Sequence, residues 1–123
     1  MIDQNAVYAV VWASNNPEKY GNKIYLDLLN GWYKVYPVNL HESQIAGHKA
    51  YVKCGDLPEP VDVAIFVVPP QVTESLIPMV HKLGIKRVWM QPGAENDQAI
   101  ALCEKYGIEC THNACIMLKR REV

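Results

Sequence analysis

The segment Val61–Val68, V-D-V-A-I-F-V-V, constrains the fold of this chain more than any other. Side chains of a strand alternate between two faces, and here both faces are apolar. Such a strand is stable when helices cover both faces, as they do for a central strand of a parallel sheet. Pro69 and Pro70 follow, and they are predicted to end the strand.

Four other segments are rich in the β-branched and aromatic residues that strands favour. They are Val7–Trp12, Lys34–Asn39, Arg87–Gln91 and Ile108–Thr111. Pro37 cannot donate a ladder hydrogen bond, so we expect its strand at the sheet edge or near the strand's end. Short extended pieces are expected at Ala50–Val52 and Ile116–Leu118.

Apolar residues recur at helical spacing between these strands. The first helix is predicted to start at Asn15–Glu18, with an asparagine cap and a proline in its first turn, and to stop at Gly31. The second and third are predicted to stop at Gly84 and Gly107. The predicted buried faces are Tyr20, Ile24 and Leu28, then Val72, Leu76, Val80 and Leu83, then Ala99, Leu102, Cys103 and Tyr106.

Strands that alternate with helices of this length indicate right-handed β-α-β crossovers and a mostly parallel sheet. We therefore predict a single Rossmann-like, three-layer α/β domain over residues 1–123. Ligands of such sheets bind at the carboxyl ends of the strands, where the strand order reverses. The loops after the strands are therefore the segments in which functional residues are expected.

Charge and composition exclude several function classes. The formal net charge is -1, whereas a nucleic-acid-binding domain needs a basic surface, so no nucleic acid is expected as a partner. No apolar run reaches the ~20 residues of a membrane span, and the N-terminus does not read as a signal peptide. The four cysteines lack a Cys-x-x-Cys pair, which favours reduced thiols and a cytoplasmic location.

Two loops carry polar residues of uncertain role. The first, Trp12–Pro17, lies where a dinucleotide fold places a pyrophosphate, but it is not Gly-x-Gly-x-x-Gly. Ser14 could bind phosphate, or Ser14 and Asn15 could simply cap the helix. The second predicted strand ends in Asn39, where an NAD site usually has a carboxylate for the ribose. This argues against NAD and is compatible with a phosphorylated ribose.

The loop motifs together carry a resemblance that covers residues 6 to 118. They are V-V-x-A-S-N-N-P-E-K-Y-G-N-K-I, K-V-Y-P-V-N, L-P-E-P-V-D-V, V-V-P-P-Q, V-W-M-Q-P-G-A-E-N and N-A-C-I-M, in that order. The chain resembles the small single-domain CoA-binding proteins. It is also similar to the N-terminal CoA-binding domain of the succinyl-CoA synthetase α subunit.

The resemblance implies a Rossmann-like domain with coenzyme A lying across the strand ends. By position, Ala13, Ser14 and Asn15 would meet the diphosphate, and Val38 and Asn39 would border the adenosine end. The adenine and pantetheine path and its far side would be formed by Val68, Pro69, Pro70, Gln91, Pro92 and Gly93, with Asn113 and Cys115 at the rim.

Two tryptophans depart from the family pattern. Trp12 and Trp32 stand where the family usually has glycine. The glycine at the first position allows close approach of backbone to phosphate. Trp12 is therefore expected to fill the diphosphate space unless it swings aside or stacks on the ligand. The synthetase also carries its phosphorylated histidine on a second domain that these residues do not include.

No catalytic residue is predicted. His41, His48, His81 and His112 have no serine or carboxylate partner at motif spacing. The segment C-T-H-N-A-C could offer zinc Cys110, His112 and Cys115, but no tight fourth ligand is evident, and no metal is predicted. Cys115 as a nucleophile lacks a visible base.

Three functions therefore stay open, with a homo-oligomer possible in each. The first is non-catalytic binding of coenzyme A or an acyl-CoA. The second is thiol-redox or acyl-transfer chemistry at Cys115. The third is an interaction domain whose ligand binding has been lost because Trp12 blocks the phosphate loop.

Overall fold

The computed structural model describes residues 3–121 and has one main sheet with helices on both faces. The strands of this sheet are β1 (Val7–Val11), β2 (Lys34–Val38), β5 (Val63–Phe66), β6 (Arg87–Met90) and β7 (Glu109–Thr111). The helices are α1 (Tyr20–Asn30), α2 (Pro70–Lys82), α3 (Asp97–Tyr106) and α4 (Ile116–Arg121). A small antiparallel hairpin, β3 (Gln44–Ile45) with β4 (His48–Lys49), follows β2.

All neighbouring strands of the main sheet are parallel, in the order β2-β1-β5-β6-β7. The predicted parallel Rossmann-like α/β fold is confirmed. The strand Val63–Phe66 occupies the centre of the sheet, as its apolar faces predicted, and the strand with Pro37 lies at an edge. The chain leaves β1 on one side for β2 and returns on the other side for β5. The strand order therefore reverses between β1 and β5, which is where such folds bind ligands.

The core has two parts, one on each face of the sheet. Strand β1 contributes to both, because Tyr8 and Val10 point to one face while Ala9 and Val11 point to the other. Helices α1 and α4 cover the first face, and α2 and α3 cover the second. These are the three layers that the sequence predicted.

Two helical details differ from the sequence prediction. Helix α1 begins at Tyr20 and not near Asn15, because residues 15–18 form tight turns of their own. On α2 the buried face is Thr73, Ile77 and Val80, while Leu83 is exposed and Val72 and Leu76 are only partly buried. The spacing of apolar residues alone did not show which of these two adjacent faces of α2 is buried.

Of the two short extended pieces, Ile116–Leu118 was predicted wrongly, and Ala50–Val52 is reduced to a single bridge at Tyr51. Residues Ile116–Leu118 belong to helix α4, whose first amide is capped by the Gln91 side chain and whose Ile116 is fully buried. Near residue 50 the chain forms the β3–β4 hairpin, and only Tyr51 then makes a bridge to Val38. Short apolar runs of this kind cannot be assigned to helix or strand by periodicity. No helix among residues 3–121 is long and apolar enough to span a membrane.

Candidate functional site

A cavity of about 590 Å³ opens at the carboxyl ends of β1, β5 and β6, next to the point where the strand order reverses. This size is within the range of small-molecule sites. Its walls come from the first turn of α1, the segments after β5 and β6, and the residue before α4. The lining residues are Trp12, Glu18, Lys19, Tyr20, Gly21, Val67, Val68, Pro69, Gln91, Pro92, Gly93, Ala94 and Cys115.

The first turn of α1 presses directly on the end of β1. A Cβ atom added to Gly21 would lie 2.1 Å from the carbonyl oxygen of Trp12, so only glycine allows this approach. The amide N–H groups of Tyr20 and Gly21 have no acceptor within residues 3–121, and Lys19, the N-cap residue, offers no side-chain cap. The helix therefore presents unpaired donors, the positive end of its dipole and Lys19 to the cavity.

Trp12 forms one wall of the cavity from an unusual backbone conformation. Its φ angle is +74°, a left-handed value that costs a non-glycine residue about 1–2 kcal/mol. The residue is 40% exposed and lines the cavity. Trp32 has the same kind of backbone, with φ of +65°, but it is 91% exposed and precedes the amino end of β2, whereas the cavity lies at the carboxyl ends of the strands. Both tryptophans thus occupy glycine-type conformations.

The backbone N–H groups of residues 12 and 13 already donate hydrogen bonds within the protein. Trp12 N–H and Ala13 N–H both donate to the carbonyl of Val38, at 2.9 and 3.2 Å. Ala13 and Val38 are buried, and neither lines the cavity. Within residues 3–121, the unpaired backbone donors at the cavity wall include those of Tyr20 and Gly21 on α1.

The side chains of Ser14 and Asn15 form hydrogen bonds within the protein. Ser14 Oγ accepts the N–H of Asn16 at 3.0 Å, which forms a turn. Asn15 donates to the Gln44 carbonyl at 2.8 Å and to Glu42 at 3.1 Å, and it accepts the N–H of Ala46 at 3.1 Å. Asn15 therefore fastens the β3–β4 hairpin to the loop after β1, and neither residue lines the cavity.

The Asn39 side chain also forms hydrogen bonds within the protein. Its Nδ2 donates to the Ala13 carbonyl at 2.8 Å, and its Oδ1 accepts the N–H groups of His41 at 2.7 Å and Glu42 at 3.0 Å. This side chain joins the loops after β1 and β2. Asn39 does not line the cavity. The residue that replaces the carboxylate of an NAD site therefore links two loops.

The segment after β6 is held in place by Gln91. This buried side chain accepts the N–H of Ile116 at 2.8 Å through Oε1, and its Nε2 lies 3.4 Å from Cys115 Sγ. Cys115 is thereby fixed at the cavity wall, half-buried, at the start of α4. Pro92 and Gly93 form the turn beyond Gln91, and Gly93 has a φ of +96°.

The structure brings half of the predicted site residues together in this cavity. Seven line it, namely Trp12, Val68, Pro69, Gln91, Pro92, Gly93 and Cys115. Seven do not, namely Ala13, Ser14, Asn15, Val38, Asn39, Pro70 and Asn113. Whether the members of either set contact a ligand stays a prediction.

Sequence reasoning missed the contribution of α1 to the wall. Glu18, Lys19, Tyr20 and Gly21 line the cavity, and so do Val67 and Ala94. The motif Y-G-N-K could have indicated this wall. Glycine destabilises a helix, so Gly21 in the first turn indicates that another part of the chain approaches the helix closely there.

The other sequence candidates lie elsewhere. None of the four histidines lines the cavity, and His81 stacks on Tyr106 on the outside of α2 and α3. Within residues 3–121, no three His, Cys, Asp or Glu side chains are close enough to hold a metal ion. Cys110 of the C-T-H-N-A-C segment packs against Met90, away from Cys115. All four cysteines are free.

The comparisons with known proteins agree with this arrangement. A solved structure of a conserved hypothetical protein from Pyrococcus furiosus superposes with a TM-score of 0.88 at 42% identity, covering 93% of this chain and 98% of that one. A dinucleotide-forming acetyl-coenzyme A synthetase from Ca. Korarchaeum cryptofilum, solved with phosphate and ADP, gives a TM-score of 0.73 at 30% identity. That match covers 87% of this chain and 25% of the synthetase.

Curated protein sequences that match this chain include ADP-forming acetate–CoA ligases. The α subunit of an ADP-forming acetate–CoA ligase II from Pyrococcus furiosus is 30% identical over 119 residues, which is 88% of this chain. The chain spans 26% of the length of that ligase subunit. A family profile described as the CoA binding domain matches residues 6–121. This chain belongs to the CoA-binding domain family.

Proposed function

We propose that this domain binds coenzyme A, or an acyl thioester of it, in the cavity at the carboxyl ends of β1, β5 and β6. The observation that carries the proposal is the first turn of α1. It offers the unpaired N–H groups of Tyr20 and Gly21, the helix dipole and Lys19 to one side of the cavity. Such a helix end favours a phosphate or diphosphate.

The remaining walls suit the rest of the same ligand. Val67, Val68, Pro69 and Pro92 are apolar, and they provide a surface for the pantetheine chain and one face of the adenine. Cys115 and Gln91 lie along the same wall. A ligand with charge at one end and a long, mostly apolar arm fits this division of the cavity.

Coenzyme A is favoured over NAD. An NAD site uses a carboxylate after the second strand to bind the ribose hydroxyls. The residue at that point is Asn39, whose amide makes three hydrogen bonds within the protein. Its acceptor oxygen is therefore already engaged by two backbone N–H groups, and no carboxylate stands there to accept the ribose hydroxyls.

We propose that the domain binds without catalysing a reaction. Cys115 is the thiol in the cavity wall, and its polar neighbour is the Gln91 amide, which cannot remove a proton. We propose only ligand binding, as a single domain in the cytoplasm, where free thiols persist. The complete reaction of an ADP-forming ligase is not part of the proposal, because the chain spans about a quarter of that subunit.

Calorimetric titration with coenzyme A and with NAD tests the proposal. We expect coenzyme A to bind more tightly. If NAD bound tenfold tighter, a gap of about 1.4 kcal/mol, the assignment would be wrong. If neither bound, the third function would apply, that of an interaction domain whose ligand site is blocked by Trp12.

A second function, thiol exchange at Cys115, is favoured by the position of its sulfur in the cavity wall. Coenzyme A ends in a thiol, and a Cys115 thiolate could attack a coenzyme A disulfide, forming a protein–CoA disulfide and releasing one coenzyme A thiolate. We expect incubation with coenzyme A disulfide to give one adduct, on Cys115. Burial raises the pKa of Cys54 to about 11, so that thiol serves as the unreactive internal control. An adduct only on Cys54 or Cys103, or none, would leave Cys115 with a packing role.

A further inference from the structure

The cavity covers only one part of the carboxyl edge of the sheet. Its walls lie at the ends of β1, β5 and β6, and within the described part of the chain no residue from 22 to 66 lines it. Strand β2, on the other side of β1, therefore contributes nothing to the walls. A dinucleotide site binds its adenosine ribose just after that second strand. The cavity thus leaves out the region where an adenosine is usually held.

The chain that follows β2 folds back over this region. The Asn39 N–H donates to the Tyr51 carbonyl at 2.8 Å, and the Tyr51 N–H donates to the Pro37 carbonyl at 3.0 Å. Asn15 fastens the β3–β4 hairpin to the loop after β1, and Ile45 in that hairpin is fully buried. The side of the sheet edge where an adenosine ribose would lie is therefore taken up by the protein's own chain.

The charges of the cavity wall are also few. Among the lining residues within 3–121, Lys19 is the only cation and Glu18 the only anion. The next lysine on α1, Lys23, is outside this lining, with its Nζ 5.4 Å from the centre of the Tyr20 ring. The 3′-phosphate on the adenosine of coenzyme A adds about −1.5 to −2 charge at pH 7. The described lining holds no second cation to meet that charge.

We propose that the ligand group recognised by this cavity is 4′-phosphopantetheine, and that the adenosine part of coenzyme A adds little to the affinity. The inference rests on the proposed function and names the part of the ligand that the site selects. The phosphate lies at the start of α1, and the pantetheine arm runs along Val67, Val68 and Pro69 toward Cys115. Free 4′-phosphopantetheine and coenzyme A then belong to one ligand class for this domain.

Calorimetric titrations with coenzyme A and with its fragments test the proposal. We expect 4′-phosphopantetheine to bind within about threefold of coenzyme A. Pantetheine, which lacks the phosphate, and adenosine 3′,5′-bisphosphate, which lacks the arm, should each bind at least about tenfold more weakly than 4′-phosphopantetheine.

The outcomes separate this proposal from the function on which it rests. If coenzyme A binds and 4′-phosphopantetheine is more than about threefold weaker, the adenosine is recognised and the proposal is wrong, while the proposed function stands. Pantetheine or adenosine 3′,5′-bisphosphate binding as tightly as 4′-phosphopantetheine would also overturn the proposal. If neither coenzyme A nor 4′-phosphopantetheine binds, the proposed function itself fails.

Two variants locate the adenosine independently. Asn15→Ala releases the fastening of the hairpin, and Lys23→Ala removes the next cation along α1. In both we expect the ratio of the two dissociation constants, for coenzyme A and 4′-phosphopantetheine, to stay within about twofold of wild type. Circular dichroism confirms that each variant folds. Tighter binding of coenzyme A alone in Asn15→Ala, or weaker binding of coenzyme A alone in Lys23→Ala, would show that the adenosine is held and would contradict the proposal.

Discussion

The two sides of the cavity rim use their polar residues in opposite ways. On the hairpin side, formed by residues 13–15 and 38–46, Ser14, Asn15 and Asn39 bond to the protein's own loops. On the open side, formed by residues 18–21, 67–69 and 91–94 with Cys115, the α1 amides and apolar side chains face the cavity. A polar residue in the right loop is therefore not evidence of ligand contact until its own bonds are known.

This division separates stability from binding. Substitutions on the hairpin side should weaken the fold and leave affinity for coenzyme A almost unchanged. Substitutions on the open side should change affinity. Gly21 joins the two effects, because it carries an unpaired amide and also sets the distance between α1 and β1.

The largest effect is expected at Gly21, where Gly21→Ala should destabilise the protein by about 2–3 kcal/mol. The added Cβ would meet the Trp12 carbonyl oxygen at 2.1 Å, and a backbone atom cannot move aside cheaply. Urea unfolding measures the loss. Gly55→Ala is the matched control, since its nearest neighbour would be the end of the Leu83 side chain at 3.8 Å. Equal stability of the two variants would refute the close approach.

A somewhat smaller effect is expected on the hairpin side. Asn39→Ala removes three hydrogen bonds, from which we expect a loss of about 2 kcal/mol in the free energy of unfolding. Affinity for coenzyme A should change by less than about threefold, or 0.7 kcal/mol. Gln98→Ala, an exposed amide on α3, is the control and should stay within about 0.5 kcal/mol of wild-type stability. A large loss of affinity in Asn39→Ala with stability intact would place Asn39 on the ligand.

The smallest effects are expected at the two tryptophans. Trp12→Gly should strengthen coenzyme A binding about tenfold, or 1.4 kcal/mol, because the indole takes up space beside the amides of α1. Trp32→Gly also removes a non-glycine residue from a left-handed backbone conformation, but Trp32 does not line the cavity. It should therefore raise the free energy of unfolding by about 1 kcal/mol and leave the affinity for coenzyme A unchanged. Calorimetry on both variants gives the comparison. Unchanged or weaker binding in Trp12→Gly would make Trp12 a stacking surface for the ligand and not an obstruction.

The fold was predictable because its strongest signals are local. The apolar run at residues 61–68 and the alternation with helices determine a central strand in a parallel sheet. Pro37 marks the edge strand for a reason contained in the residue itself. Where apolar residues were few, as at Ile116–Leu118, the deciding contact was with the distant Gln91, which no local pattern reveals.

The site was predictable only in part, because some of its residues are positioned by contacts that are distant in the sequence. Residues of the β5 and β6 loops line the cavity because the topology places them there. Asn15 does not, because its partners are in the hairpin about thirty residues further along the chain. Lys19 and Tyr20 were missed because the predicted start of α1 lay several residues too early.

A titration of the ¹⁵N-labelled protein with coenzyme A, followed through its amide chemical shifts, tests the proposed site most directly. We expect the largest shifts at Tyr20, Gly21, Gln91, Gly93 and Ala94, with small shifts at Asn15, Asn39 and the β3–β4 hairpin. A ligand that leaves the Tyr20 and Gly21 amides unperturbed, while shifting the amides of residues 39–46, would contradict the proposed site.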